Sequence, residues 1–171
     1  AVWLGCRSFM FSGGEPTASP MLPPLIRFLR EHEVASIQVL TNGTLVDDHL
    51  IRVFADHNVL VAVSVHSFDP EVHDAITCLR GSHARALEAL RRMMDAGVPV
   101  RANITVEERN KAHVDHTIEY LIALGIRHGA GDEVRSQGRA LKPGYRGMTH
   151  VPYSSYWLTH CLRGAICVRG D

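Results

Sequence analysis

Short apolar runs alternate with segments of helical spacing along most of this chain of 171 residues. Residues 59–65 are apolar almost without a break, as expected for a strand that is buried on both faces. Residues 21–32 and 47–56 instead repeat their apolar side chains every three or four positions, which predicts helices. Repeated strand–helix units of this length favour parallel strands with right-handed crossovers, so an α/β fold is predicted. A doubly wound sheet and part of a (β/α) barrel both fit this pattern.

The same reasoning gives the other elements. A helix is predicted at 83–96, with Ser82 as its N-cap and Gly97 and Pro99 after its end. Another helix is predicted at 114–124 and ends at Gly125. The remaining strands are predicted at residues 8–12, 37–40, 100–106 and, as a last strand, 131–135.

The composition excludes several classes of protein. The chain has 18 basic and 18 acidic residues, so neither nucleic acid nor an acidic membrane surface is expected as a partner. No apolar run is long enough to span a bilayer, and no signal peptide opens the sequence. Its four cysteines are unevenly spaced and do not resemble a disulfide framework. A cytoplasmic location is therefore expected.

The loop after the first predicted strand carries an unusual set of residues. Gly13 and Gly14 allow a sharp turn and a close approach of a ligand to the main chain. Glu15 follows with a carboxylate that can hold an ammonium group, and Pro16 suits the exit of the turn because its φ is fixed. Open carbonyls with one acid predict a site for a cation or an amine, rather than the N–H groups that bind phosphate.

Polar residues also stand at the ends of the later strands. In parallel α/β folds the carboxyl ends of the strands form the ligand site, so these residues are candidates for binding. Each has a simpler interpretation: Asn42 as part of a turn, Ser64 as a buried hydroxyl bonded to backbone, and His66 as a satisfied histidine. Asn103 is harder to explain in this way, because a buried amide needs several partners.

These positions resemble the motifs of radical S-adenosylmethionine (SAM) enzymes. Residues 13–16 read Gly-Gly-Glu-Pro, like the motif that holds the methionyl amine of SAM in that family. Residues 63–66 read Val-Ser-Val-His and resemble the segment written V-S-[LIV]-[DH]. The resemblance covers about residues 1–140, and it implies a partial parallel (β/α)6 barrel in which strands two to six are visible. A short irregular segment would follow at the C-terminal end.

The resemblance also implies roles for individual residues. Ser64 and Asn103 would lie near the ribose and carboxylate of SAM, and Arg135 or Gly138 near its adenosine. No catalytic side chain is assigned. The full set of implied cofactor-binding residues is Gly13, Gly14, Glu15, Pro16, Asn42, Ser64, His66, Asn103, Arg135 and Gly138.

The cysteines depart from the family pattern. The family holds a [4Fe–4S] cluster with three cysteines spaced C-x3-C-x2-C, and no such motif occurs in this sequence. We therefore expect the chain to be a fragment of a longer enzyme that carries the cluster. Residues 1–140 would form the barrel core, and residues 141–171 a linker and the start of a SPASM-like extension. Cys161 resembles an auxiliary cluster ligand of such an extension; the alternative is a free, partly buried thiol.

The implied reaction is reductive cleavage of SAM to a 5′-deoxyadenosyl radical, which abstracts hydrogen from a substrate. A peptide is the implied substrate, and an electron donor is the implied partner. Three other interpretations remain open. One is a different α/β enzyme whose glycine loop binds a phosphate or a sugar, and another is a non-catalytic α/β binding module. The third is a metal site that uses His113 and His116, which are three residues apart on one predicted helix.

Overall fold

The structure, a computed structural model, describes residues 1–126 and the backbone of residues 129–133. The chain falls into two compact units. The first comprises Ala1–Ser64 and Gly81–Arg101, and the second comprises Val65–Arg80 and Ala102–Asp171. The predicted linker and extension at 141–171 lie outside the described residues.

The elements follow the predicted alternation of strands and helices. In chain order they are β1 (Ser8–Phe11), α1 (Leu22–Glu31), β2 (Ser36–Thr41), α2 (Asp48–Asp56), β3 (Leu60–Ser64), α3 (Pro70–Thr77), α4 (Ser82–Asp95), β4 (Val100–Val106), α5 (Val114–Ala123) and β5 (Gly129–Glu133). Three short 3-10 helices occupy Val2–Leu4, Pro16–Ala18 and Lys111–His113.

In the first unit, β2 lies between β1 and β3, and both pairs are parallel. Phe11 is opposite Val39, and Thr41 is opposite Val63, so the carboxyl ends of the three strands lie at one edge. The prediction of parallel strands is therefore confirmed. The consequence is that the loops after β1 and β2 lie side by side.

A continuous apolar core supports this edge of the first unit. The helices α1, α2 and α4 each bury an amphipathic face, as their spacing of apolar residues predicts. Residues with no exposed surface come from both the strands and the helices: Ile26, Val39, Phe54, Val61, Val63, Ala86 and Met93. The strand ends are thus held by rigid, close-packed elements.

In the second unit, residues 102–106 of β4 pair with β5 in parallel register. The helix α5 buries Ile118 and Leu121, and Ile126 beyond it is also buried. The helix α3 was not predicted, because only His73 of its eight residues is buried and its apolar spacing is weak. Asp69 caps this helix by accepting a hydrogen bond from Glu71 N at 2.9 Å.

One predicted cap is wrong. Ser82 is the first residue of α4 and is 2% exposed, whereas Gly81 occupies the N-cap position with a φ of +76°. Glycine takes this left-handed backbone at little cost, so the helix begins without a side-chain cap.

None of the helices in the described part of the chain has the length and apolar character needed to cross a membrane.

Candidate functional site

The loop after β1 presents open backbone at its two glycines. Gly13 and Gly14 are exposed and have φ angles of +85° and +56°, which explains why glycine stands at both positions. A Cβ built on either residue would meet no atom within 4 Å. No hydrogen bond found among the described residues uses the peptide groups of Gly13 or Gly14. A ligand can therefore reach the main chain at this turn.

Glu15 joins the loop after β1 to the loop after β2. Its Oε1 atom accepts hydrogen bonds from Thr17 N at 3.0 Å, from Thr17 Oγ1 at 2.6 Å and from Thr41 Oγ1 at 2.6 Å. Its Oε2 atom accepts one from Asn42 N at 2.8 Å. Pro16 follows as the first residue of a 3-10 helix that Glu15 caps. The carboxylate is thus fixed by residues from both strand ends.

The two oxygens of the Glu15 carboxylate differ in how many donors they have. An ionised carboxylate offers about four lone-pair sites, roughly two on each oxygen. Oε1 receives three donors and is fully used, whereas Oε2 receives one donor from the described residues. Oε2 therefore keeps room for a second donor, and a cationic donor would form the stronger kind of hydrogen bond there.

The loop after β2 is held in place by its own hydrogen bonds and by close packing. Asn42 Oδ1 accepts hydrogen bonds from Thr44 N at 2.8 Å and Thr44 Oγ1 at 2.7 Å, so its side chain forms the predicted turn. Gly43 has a φ of +75°, and a Cβ there would lie 3.1 Å from both Ala86 Cα and Val63 Cγ1. Asn42 is held in place, and its backbone N–H is presented to Glu15.

Ser64, in the first unit, is the half-buried last residue of β3, and Asn103, in the second unit, is 8% exposed in β4. Across the residues that the structure describes, neither side chain has a hydrogen-bond partner. The simpler interpretation of Ser64, a hydroxyl bonded to backbone, is thus not what the structure shows.

His66, in the second unit, follows β3 and sits in a network of hydrogen bonds. Its Nδ1 accepts from Thr105 N at 3.2 Å, and its backbone N donates to His73 Nδ1 at 3.1 Å. Burial lowers the pKa of His66 to about 4; the Arg109 cation acts in the same direction, and the Glu107 carboxylate opposes both. His66 is therefore neutral at pH 7.

Asn110, which was not predicted, organises this network. Its Oδ1 accepts from Glu107 N at 2.7 Å, and its Nδ2 donates to His66 O at 2.7 Å and Thr105 O at 2.9 Å. Asn110 has no exposed surface. An asparagine three residues after the glutamate that follows a buried strand is the only sequence signal for this role. Glu107 itself is buried and pairs with Arg109.

The predicted site residues divide between the two units. The structure brings Gly13, Gly14, Glu15, Pro16 and Asn42 together in one group of loops. Ser64 belongs to the same unit, whereas His66 and Asn103 belong to the other. Arg135, Gly138 and Cys161 lie outside the described residues, so their predicted roles remain predictions.

Metal-ligating side chains do not cluster in the described part of the chain. Cys6 and Cys78 are exposed free thiols, and no group of three metal-ligating side chains occurs among residues 1–126. His113 uses Nδ1 in a 3.0 Å hydrogen bond with Ser67 Oγ, and the ring of Phe68 packs against both His113 and His116. The alternative interpretation, a metal site at His113 and His116, gains no third ligand among the described residues.

A cavity of about 220 Å³ adjoins the glycine turn in the first unit. Its walls include Met10, Phe11, Gly13 and Leu22, and Ser12 and Ser19 supply its hydroxyls. None of its lining side chains is charged; Glu15 is not among them, whereas its neighbours in the loop, Gly13 and Pro16, are.

Comparison with known proteins matches residues 2–121 to the model of the Radical SAM superfamily. The PqqA peptide cyclase of Granulibacter bethesdensis is 30% identical over 129 residues, which are 73% of this chain and 33% of that protein. A probable GTP 3′,8-cyclase of Saccharolobus islandicus is 30% identical over 123 residues, which are 71% of this chain and 40% of that protein. The chain therefore spans about a third to two fifths of the length of these relatives.

The structure of native anSMEcpe with bound AdoMet and Cp18Cys peptide superposes with a TM-score of 0.68 at 19% identity. The match covers 82% of this chain and 42% of that one, and it shows the same fold. The family model accounts for more than two thirds of the sequence and includes the glycine loop, Glu15, Ser64 and Asn103. The chain belongs to the radical SAM superfamily.

Proposed function

We propose that this chain contributes the SAM-binding residues of an enzyme that abstracts a hydrogen atom from a peptide. The observation that carries the proposal is the spare acceptor position on Oε2 of Glu15, beside an open glycine turn. The residues fit the ligand, since SAM carries an ammonium group with three N–H donors. Oε2 can accept one of these, and the unused carbonyls of Gly13 and Gly14 can accept others.

The remaining polar groups support the same proposal. Ser64 and Asn103 have side chains without hydrogen-bond partners in the described residues, so each can bind a hydroxyl or carboxylate of SAM. Asn42 supports Glu15 through its backbone N–H. Arg135 and Gly138 stay in the proposal as predicted contacts to the adenosine.

SAM supplies, on reductive cleavage, a carbon-centred radical able to abstract hydrogen. The described residues carry no cysteine set for the [4Fe–4S] cluster that delivers the electron, so what they contribute is the binding and orientation of SAM. An electron donor is part of the proposal, because the cleavage consumes one electron. We also propose a cytoplasmic location, because a reducing compartment keeps cysteine thiolates available to bind an iron–sulfur cluster.

The test measures affinity for SAM by isothermal titration calorimetry. Glu15→Gln keeps the size of the side chain but removes its charge, and it should weaken SAM binding roughly tenfold to a hundredfold, as loss of a charged hydrogen bond does. Glu31→Gln, at an exposed glutamate that ends α1, is the matched control and should leave the affinity unchanged.

Binding of a second ligand distinguishes the loss of a direct contact between Glu15 and SAM from general damage to the loop. Methylthioadenosine has the nucleoside of SAM but lacks its amino acid part, so Glu15→Gln should leave its affinity unchanged. Equal loss of affinity for both ligands would mean that Glu15 only supports the loop. Unchanged affinity for SAM would remove the proposed ammonium contact altogether.

A peptide is the proposed substrate because of two similarities: PqqA peptide cyclase is a relative at 30% identity, and the fold matches a structure with a bound peptide. The relative that is a probable GTP cyclase makes GTP the main competitor. Titration with GTP and with the Cp18Cys peptide distinguishes them, and saturable binding of GTP alone would contradict the peptide proposal.

A further inference from the structure

Asn42 and Gly43 form the single Asn-Gly dipeptide of the sequence. This pair is prone to spontaneous deamidation, because glycine has no side chain to hinder attack by its own backbone nitrogen. The nitrogen of Gly43 attacks Cγ of Asn42, the Cγ–Nδ2 bond breaks, and ammonia leaves behind a five-membered succinimide. Water then opens this ring to aspartate or isoaspartate, with no change in oxidation state. Asn42 is half-buried, so water can reach it.

The attacking nitrogen is restrained by a hydrogen bond in the folded loop. Gly43 N donates to Thr41 Oγ1 at 3.0 Å, and this hydrogen bond is buried. Succinimide formation requires removal of the proton that the hydrogen bond uses, since only the deprotonated peptide nitrogen is an effective nucleophile. Breaking a buried hydrogen bond has a free-energy cost, which the unfolded chain does not meet. The hydroxyl of Thr41 therefore opposes the first step of the reaction.

Close packing restrains the same peptide unit. Gly43 is buried, and a Cβ built on it would lie 3.1 Å from both Ala86 Cα and Val63 Cγ1. The main chain thus lies directly against a helix and a strand, and it cannot turn towards the side chain of Asn42 without displacing close-packed atoms. Ring closure therefore requires a local opening of the loop.

The carbonyl group that would be attacked is fixed in place but not made less reactive. Asn42 Oδ1 accepts hydrogen bonds from Thr44 N at 2.8 Å and from Thr44 Oγ1 at 2.7 Å. Donors on a carbonyl oxygen stabilise the negative charge that develops there during attack on the carbon. Thr44 therefore does not account for protection of the amide, and the restraint lies at the nitrogen of Gly43.

We propose that Asn42 is a deamidation site that the folded loop protects, and that the Thr41 hydroxyl restrains the attacking nitrogen. Opening of the loop releases Gly43 N and allows the reaction. The modification affects the candidate site, because the backbone N–H of Asn42 donates to Glu15 Oε2 at 2.8 Å. Either product adds a carboxylate to this residue, and its charge repels that of Glu15. Isoaspartate also reroutes the main chain through the former side chain.

The test measures deamidation without any ligand, so its result is independent of the proposed function. The full chain is incubated at pH 8, both folded and in guanidinium chloride, and peptide mapping by mass spectrometry quantifies aspartate and isoaspartate at position 42. We expect the folded protein to react at least about tenfold more slowly than the unfolded protein. Equal rates in the two conditions would overturn the proposal, and so would an intact amide at position 42 in the denaturant.

Two substitutions test the role of the Thr41 hydroxyl. Thr41→Val removes the acceptor for Gly43 N and keeps a side chain of similar size, so the folded variant should deamidate roughly threefold to tenfold faster than the wild type. Thr17→Val is the matched control, because its hydroxyl also donates to Glu15 Oε1 but does not accept from Gly43 N. Its rate should stay within about twofold of the wild-type rate.

Equal acceleration in the two variants would overturn the role of Thr41, because it would assign the protection to the contacts of Glu15. An unchanged rate in Thr41→Val would overturn it as well. If Thr41→Val does not fold, its rates with and without denaturant will coincide, and hydrogen exchange of the Gly43 amide in the wild type then decides. Slow exchange supports the proposal, whereas exchange as fast as in the unfolded chain contradicts it.

Discussion

Arg30 Nε donates a hydrogen bond to the carbonyl of His57 at 2.7 Å, which links the last turn of α1 to the C-cap of α2. The same guanidinium donates to Val34 O at 2.6 Å and Asn58 O at 2.9 Å. One side chain thus satisfies carbonyls at two helix ends that would otherwise lack donors.

Arg30→Lys should therefore destabilise the protein by about 2 kcal/mol, because an ammonium cannot reproduce a planar fork that reaches several carbonyls. Denaturation with urea measures this loss. Arg27→Lys, on an exposed face of the same helix, should change the free energy of unfolding by less than about 0.5 kcal/mol. Equal effects of the two substitutions would contradict a special role for Arg30.

Gly43 and Gly97 have nearly the same backbone, with φ angles of +75° and +74°, but different surroundings. A Cβ at Gly97 would meet no atom within 4 Å, whereas one at Gly43 would press on Ala86 and Val63. Gly97→Ala should lower the free energy of unfolding by about 1 kcal/mol through backbone strain alone. Gly43→Ala should lower the free energy of unfolding by roughly 1–3 kcal/mol more, because its Cβ also presses on Ala86 and Val63. Thermal denaturation of both variants tests this, and equal losses would show that the contact relaxes freely.

The lowered pKa of His66 predicts sensitivity to acid. The pKa is about 4 in the folded protein and 6.5 in the unfolded chain, so the unfolded chain binds a proton first as the pH falls. Above pH 6.5 the group contributes nothing; between about pH 6.5 and 4 it should lower the free energy of unfolding by roughly 1 kcal/mol per pH unit. The charged and titratable groups around the ring are His73, Glu107 and Arg109.

Denaturation midpoints at pH 7.0, 5.5 and 4.5 measure this slope. His66→Asn removes the titrating ring and keeps the acceptor for Thr105, so its stability should fall less steeply over the same range. Parallel slopes for the variant and the wild type would assign the acid sensitivity to other groups.

Asn110→Asp tests the buried network around His66. The new oxygen would face the carbonyls of His66 and Thr105, to which Nδ2 now donates. The loss of two hydrogen bonds and the repulsion between acceptors should cost about 3 kcal/mol or more. Glu119→Gln, at an exposed residue of α5, should change stability by less than about 0.5 kcal/mol and serves as the control. Similar urea midpoints for the two variants would show that the network adds little.

Much of the fold could be predicted because buried parallel strands leave a continuous apolar signal, as residues 59–65 do. The helix α3 escaped prediction because its burial involves a single histidine, which no apolar spacing reveals. The glycine loop after the first predicted strand also led to Glu15 as a predicted ligand contact, and that role stays a prediction. The link of Glu15 to Asn42, 27 residues away, depends on the register of β1 and β2 and could not be inferred from the sequence.

The hydrogen bonds around His66 could not be inferred from the sequence either, because they also join residues that are distant along the chain. Asn110 lies 44 residues further along the chain, and the hydrogen bond to the ring of His66 comes from the backbone N–H of Thr105. Backbone donors carry no sequence signal, because every residue except proline supplies one.

The three donors on Oε1 of Glu15 have a consequence for the affinity of whatever binds at Oε2. A glutamate side chain that is free to rotate loses conformational entropy when a ligand immobilises it, and that loss weakens binding. Here the rotamer is already selected when the polypeptide folds, because Thr17 and Thr41 hold the carboxylate from two loops. A ligand at Oε2 would meet a preorganised acceptor, so we expect its affinity to depend on the hydroxyls of Thr17 and Thr41, which donate to the other oxygen.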